Sequence, residues 1–160
     1  MTDITELKTD IKNIIESIEK ISIRPNWSEY FVLLASVVAT RSPSAKLKVG
    51  AIIVSSDNEI ISTGYNGFPS GVPHIPIFNK EGKEINTIHA EINTISYAAR
   101  KGISIKNSII YITHFPCIHC TKSIIAAGIK NIFYISDRNN DPVAIEMMKQ
   151  SNIGIVKINI

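Results

Sequence analysis

An α/β fold built on a five-stranded mixed sheet flanked by helices is what the sequence predicts, on three observations. Two apolar runs, VGAIIVSS at 49–56 and EIISTGYNG at 59–67, surround the turn residues Asp57 and Asn58 and read as a hairpin. From residue 89 onward helical and strand patterns alternate. Strands joined by helices run parallel, so the later strands form a parallel set, with the hairpin antiparallel to them.

The elements follow in chain order. Ile4, Leu7, Ile11, Ile14, Ile15, Ile18 and Ile21 recur at helical spacing, which predicts an amphipathic helix over 1–23, ending before Pro25. Such a helix either caps the core or makes an oligomer contact. A second helix starts at NWSE, where Asn26 or Ser28 can cap, and runs to about Arg41 before Pro43 stops it. The hairpin comes next, then a Gly- and Pro-rich loop over 66–88, and long loops in compact domains are usually functional or mobile. Helices at 89–101, 117–127 and 142–151 then alternate with strands at 108–113, 131–135 and 153–158. The domain division expected is an N-terminal helix, 1–23, and one globular domain, 24–160.

Composition narrows the class of function. A chain of 160 residues, 44% hydrophobic and 19% charged, is long enough to bury a substantial core in one domain. The net charge of +3 is spread without a run of Lys or Arg, so a polynucleotide is not the expected partner. No apolar stretch approaches the roughly 20 residues that span a bilayer, and MTDITELKTDIK lacks the apolar core of a secretory signal. Both cysteines fall in one C-x-x-C, which suits a reducing compartment, and a cytoplasmic enzyme is expected.

The chemistry gathers in HAE at 89–91 and PCIHC at 116–120. Both segments open a predicted helix, where free N–H groups and the positive end of the dipole lower the cost of a thiolate. Cys117 and Cys120, three apart, share a helix face, while His119 between them points elsewhere. Three zinc ligands remain: His89, Cys117 and Cys120. Structural zinc is nearly always closed by four protein ligands, whereas catalytic zinc keeps a position for water and lowers its pKa to about 7. Glu91, two residues from His89, is placed to take a proton from that water and pass it to a leaving group. Alone, the C-x-x-C would read as a redox pair and the H-x-E as nothing.

Together with the Pro, and in this order, the two motifs resemble the H-x-E and P-C-x-x-C pair of zinc deaminases. HAEINTI and THFPCIHCTKSIIAAGIKNIFY look like the zinc-dependent cytidine deaminase superfamily, and specifically its deoxycytidylate (dCMP) deaminases. RPNWSEYFVLLASVVATRSPSAKLKVGAIIV and GYNGFPSG extend the likeness over nearly all of 24–160. The resemblance implies a cytidine deaminase-like three-layer fold and hydrolysis of dCMP to dUMP with release of ammonia, supplying dUMP for dTMP synthesis. It implies Zn2+ at His89, Cys117 and Cys120, with Glu91 carrying protons to ring N3 and then to the departing amine. Backbone amides near Ala90 would hold the ring oxygen and Asn66 would reach the sugar hydroxyl, although Asn before Gly also suits a plain turn. It further implies a homohexamer activated by dCTP with Mg2+ and inhibited by dTTP, the effectors binding at the loop of Gly64, Tyr65, Asn66 and Gly67.

Two departures from similar enzymes stand out. Arg138 follows Asp137 where many relatives carry a base-stacking Tyr; a guanidinium can stack too, or reach a phosphate, as can cations at Lys46 and Lys48. The loop 72–88 has no cysteine, so a second, structural zinc found in some relatives lacks ligands, His74 alone being too few. Deaminases of tRNA adenosine or single-strand DNA cytosine share the metal motif but need a cationic or aromatic path for the strand. A cytidine deaminase acting on the free nucleoside would usually present Cys at position 89, and a non-enzymatic zinc module would have no use for Glu91.

Overall fold

The computed structural model describes residues 4–82, 84–137 and 140–160. Among the described residues ten elements follow one another: α1 (Ile4–Glu19), α2 (Trp27–Ala39), β1 (Gly50–Val54), β2 (Ile60–Tyr65), α3 (Ala90–Arg100), β3 (Ile109–His114), α4 (Ile118–Ala126), β4 (Asn131–Ser136), α5 (Pro142–Gln150) and β5 (Gly154–Lys157). The strands form one five-stranded sheet in the order β2-β1-β3-β4-β5. Strands β3, β4 and β5 are parallel, as expected of strands joined by helices. Of the hairpin, only β1 is antiparallel to this set; it pairs antiparallel with both β2 and β3, so β2 at the edge points the same way as β3.

Period-two alternation along the strands decides the layers. Ile52 and Val54 of β1 and Tyr111 of β3 face Phe31, Val32 and Ala35 of α2. The intervening Ala51, Ile53, Ile110 and Ile112 face the other way, onto Ala90 and Ala98 of α3, Ile124 of α4 and Met148 of α5. Three layers result, α2, the sheet, and α3 with α4 and α5. Gly50 sets the closeness of the first contact, because a Cβ there would lie 2.0 Å from the carbonyl oxygen of Ala35. Asn26 caps α2 with a reciprocal bond to Glu29, and Asp141 caps α5 ahead of Pro142.

The N-terminal helix differs from expectation. It stops at Glu19 instead of running to residue 23, and none of its residues is buried, so it does not cap the core. Among the described residues, no helix is long and apolar enough to cross a membrane.

The register brings several segments to one end of the sheet. Gly50 pairs with Tyr65 and Ala51 with Ile112, so the approach to β1, the exit of β2 and the exit of β3 lie side by side. The functional residues cluster there.

Candidate metal and catalytic site

Two helix starts make the site. His89 is the N-cap of α3 and Cys117 the N-cap of α4; both are extended and neither side chain caps its own helix. Their side chains are instead turned toward each other. His89 Nδ1 lies 3.5 Å from Cys117 Sγ and 3.4 Å from Cys120 Sγ. Ligand atoms of His89, Cys117 and Cys120 all lie within 4.8 Å of one another, and His119 is not part of this group. A tetrahedral zinc with ordinary Zn–N and Zn–S bonds would separate its N and S ligands by about 3.5 Å. The donor set therefore fits zinc in both element and spacing.

Proton sharing between the thiols points the same way. Cys117 is brought down to about 3, first by the hydrogen bond from Cys120 and then by His89, against the opposing effect of burial. The same bond, with burial and the neighbouring Glu91, pushes Cys120 far up. The pair thus holds one thiolate and one thiol, and a divalent cation would replace the shared proton and leave both as ligands.

Glu91 stands in the first turn of α3 and is 4% exposed. Burial raises its pKa above the usual carboxylate range, opposed by its backbone hydrogen bond and by His89. A carboxyl that keeps its proton longer and sits beside the metal ligands is suited to proton transfer. A cavity of about 150 Å³ opens onto this group, lined by Asn66, His89, Ala90, Glu91 and Cys117 from the motifs.

Four further lining residues were not anticipated: Leu47, Val49, His114 and Phe115. The hydroxyl of Thr113 accepts from Gly50 N–H and pairs with His114 Nδ1 at 2.9 Å, which ties the His114 ring to the start of β1. Phe115 packs edge-on against Tyr134, ring centroids 5.3 Å apart. His114 and Phe115 had a signal in the sequence, as the last residue of β3 and the single residue before the PC motif.

The loop residues divide. Asn66 lines the cavity, but its side chain is a clamp: Oδ1 accepts from Val49 N–H at 2.7 Å and Nδ2 donates to Leu47 O at 2.9 Å. The backbone N–H groups of Asn66 and Gly67 donate to Val49 O and Ile88 O, so these two amides are not turned toward a phosphate. Gly64 lies within β2, and a Cβ there would sit 2.5 Å from Thr94 Oγ1 and 2.8 Å from Ala90 O. Its role here is to let β2 pass close beneath α3. Tyr65 borders a second, larger cavity of about 650 Å³, together with Phe68, His74, Asn93, Tyr97 and Arg100. Lys46 donates to Gly82 O and lies over the Phe78 ring. Arg138 falls outside the described residues.

A family model described as the cytidine and deoxycytidylate deaminase zinc-binding region matches residues 25–136. The ComE operon protein 2 of Bacillus subtilis is 36% identical over 140 residues, covering 86% of this chain and 74% of that protein. Human deoxycytidylate deaminase is 37% identical over 122 residues, covering 72% of this chain and 67% of the human protein. The dCMP deaminase of cyanophage S-TIM5, crystallised with dCMP and dUMP, superposes with a TM-score of 0.76 at 29% identity, over 85% of this chain and 99% of that one.

Proposed function

Because the chain belongs to the cytidine and deoxycytidylate deaminase family, we propose that it hydrolyses dCMP to dUMP and ammonia at the site of His89, Cys117, Cys120 and Glu91. The observation that carries the reading is the union of a three-ligand zinc set with a buried carboxyl at one small cavity. Residues 24–160 form the catalytic domain on this reading, with 1–23 appended to it.

Zinc held by His89, Cys117 and Cys120 supplies a Lewis acid that makes water nucleophilic near neutral pH. The chain's own residues do the rest. Glu91 accepts the proton of the attacking water and delivers it to N3 of the cytosine ring as the bond from oxygen to C4 forms. It then takes the proton of the hydroxyl now on C4 to the exocyclic nitrogen, the C4–N bond breaks as the C4=O bond forms, and ammonia leaves. Burial of Glu91 keeps both transfers away from bulk water. The backbone at Ala90, at the start of α3, offers N–H groups to the ring oxygen, and Leu47, Val49 and Phe115 supply apolar walls. Asn66, the residue proposed for the sugar hydroxyl, fixes the approach to β1 through Leu47 and Val49. Arg138 and Lys48 are the cations proposed for the 5′-phosphate.

Regulation belongs to the same reading: dCTP with Mg2+ as activator and dTTP as inhibitor, within a cytoplasmic homohexamer. The larger cavity supports an effector site, because Tyr65 links it to the exit of β2 and Arg100 gives it a cation. Asn93 donates to Tyr65 O at 2.9 Å, so α3 is tied to this strand end between the two cavities. Differential binding there would shift the Gly64–Gly67 segment and so the clamp at Asn66.

The test is ammonia release from cytidine, deoxycytidine, CMP, dCMP, dCTP and a cytosine oligonucleotide. The expected result is turnover of dCMP well above deoxycytidine, since charge-assisted bonds to the phosphate add affinity. Equal efficiency on the two would assign the nucleoside as substrate, and turnover of the oligonucleotide alone would assign a nucleic-acid deaminase.

A further inference from the structure

Outside the matched family region, α1 carries a pattern that the reaction does not use. Ile4, Leu7, Ile11, Ile14, Ile18 and Ile21 are separated by three, four, three, four and three residues. From Ile4 to Ile18 this alternation keeps one seam of α1 apolar over two heptads, with Ile21 just past the helix end, and suits the helix to pair with another. The six side chains, and Ile15 beside them, are between 42% and 69% exposed. The far face is polar, with Lys12 and Glu16 paired at 3.6 Å.

A 16-residue helix without a packed face is close to the length at which isolated helices are marginal in water, so this seam needs a cover. The chain's own body leaves room for one. Asn13, Ile14, Ser17, Ile18 and Ile21 line, with Leu33 of α2, an open groove of about 330 Å³.

We propose that the cover is the α1 helix of a second copy of this chain, packed seam to seam. The seam is self-complementary. Its layers are all Ile or Leu, and the flanking positions carry Lys8 and Ile15 on one side and Asp10 and Ser17 on the other. With the layers from Leu7 to Ile18 overlapped, neither a parallel nor an antiparallel pair sets like charges among these four opposite each other. Seven aliphatic side chains about half exposed amount to on the order of 600 Å² of apolar surface per copy, comparable with the share of about 800 Å² that each partner gives to a standard interface. A lipid surface fits less well. From Ile4 to Glu19 the acids Glu6, Asp10, Glu16 and Glu19 outnumber Lys8 and Lys12, whereas helices that lie on membranes are rich in Lys and Arg on the polar face.

The test places a photoreactive benzoylphenylalanine at Ser17, beside the seam, in the zinc-loaded full chain. On irradiation the expected product is a band of twice the chain mass on a denaturing gel, whose digest joins α1 to α1. Replacing Ile11→Lys and Ile18→Lys together should abolish that band while zinc content and turnover stay as they were. Ile11→Leu with Ile18→Leu should keep it. Cross-links confined to α2 of the same chain, a doubled band joining α1 to some other surface, or no protein product would each overturn the proposal. So would a doubled band that survives both lysines.

Discussion

Two cavities share the exit of β2, and they are built in different ways. The smaller, about 150 Å³, is walled by residues next to the start or end of an element: Leu47 and Val49, Asn66, His89 to Glu91, and His114, Phe115 and Cys117. The larger, about 650 Å³, is walled by residues scattered from Thr63 to Arg100, including the long loop after β2. In the first, every chemical group is fixed by a strand end or a helix start. In the second, a loop supplies much of the wall. Reaction chemistry needs groups held to fractions of an ångström, and element ends give that. Reversible binding of an effector needs a wall that can adopt two arrangements.

The largest expected effect breaks the smaller cavity alone. Cys117→Ser or Cys120→Ser should take zinc content from about one per chain toward none and abolish turnover, as read by metal analysis and ammonia release. Loss of the cross-link between the starts of α3 and α4 should also lower the melting temperature.

Gly64→Ala would strike the strand that the cavities share. Its Cβ would meet the backbone N of Thr94 at 2.6 Å, and backbone cannot swing aside. Overpacking of this kind costs about 1–3 kcal/mol, or roughly 3–10 °C in melting temperature for a chain of this size. Thermal unfolding checks the first effect and a dCMP saturation curve the second, which should shift because Ala90 lies against the same glycine.

Arg100→Ala sharpens the comparison from the other side. If dCTP binds there as proposed, loss of one charge-assisted bond to its triphosphate should raise the dCTP concentration needed for activation by about tenfold. Saturation curves with and without dCTP read the change directly. An unaltered effector response would remove Arg100 from the larger cavity's function.

The smallest effect concerns Asp137, next to Arg138. Its carboxyl is held below the usual range by the ion pair with Lys157 and by hydrogen bonds from Asn140 and Tyr134. A depressed acid stabilises the folded state above its unfolded pKa of about 3.9 and loses that contribution as pH falls through the folded value. Asp137→Asn should therefore lower stability slightly at neutral pH and change it little in strong acid, where the wild-type carboxyl is protonated, so that the acid limb flattens. Melting temperature against pH for the two proteins is the check.

Sequence patterns served the smaller cavity better than the larger. His89, Glu91, Cys117 and Cys120 were legible because each pair lies within four residues, so helix geometry alone sets their mutual positions. The same holds for the strands and helices after residue 89, whose bounds agree with the periodicity to within two residues. Asn66 was harder. Its turn was evident, but its grip on Leu47 and Val49 depends on the pairing of β1 with β2, which lies beyond any local window. The direction of β2 follows from the same pairing. Glycines 64 and 67 stood out only as part of a Gly-rich loop, and composition does not show that one packs under α3 and the other bridges to Ile88. The apolar stripe of α1 announced a helix correctly, while the burial it suggested is absent from this chain alone. A stripe records that something covers it, and burial in the same chain is only one way to provide the cover.

The most direct measurement compares zinc-loaded wild type with Glu91→Gln, following dUMP and ammonia formed from dCMP in water enriched in heavy oxygen. Wild type should give dUMP and ammonia in equal amounts, with one heavy oxygen in each dUMP. Glu91→Gln should keep its zinc and turn over about 100-fold to 10,000-fold more slowly, the usual contribution of a general acid–base group. Near-equal rates for the two proteins at equal zinc content, or dUMP without solvent oxygen, would contradict hydrolysis driven by proton transfer through Glu91.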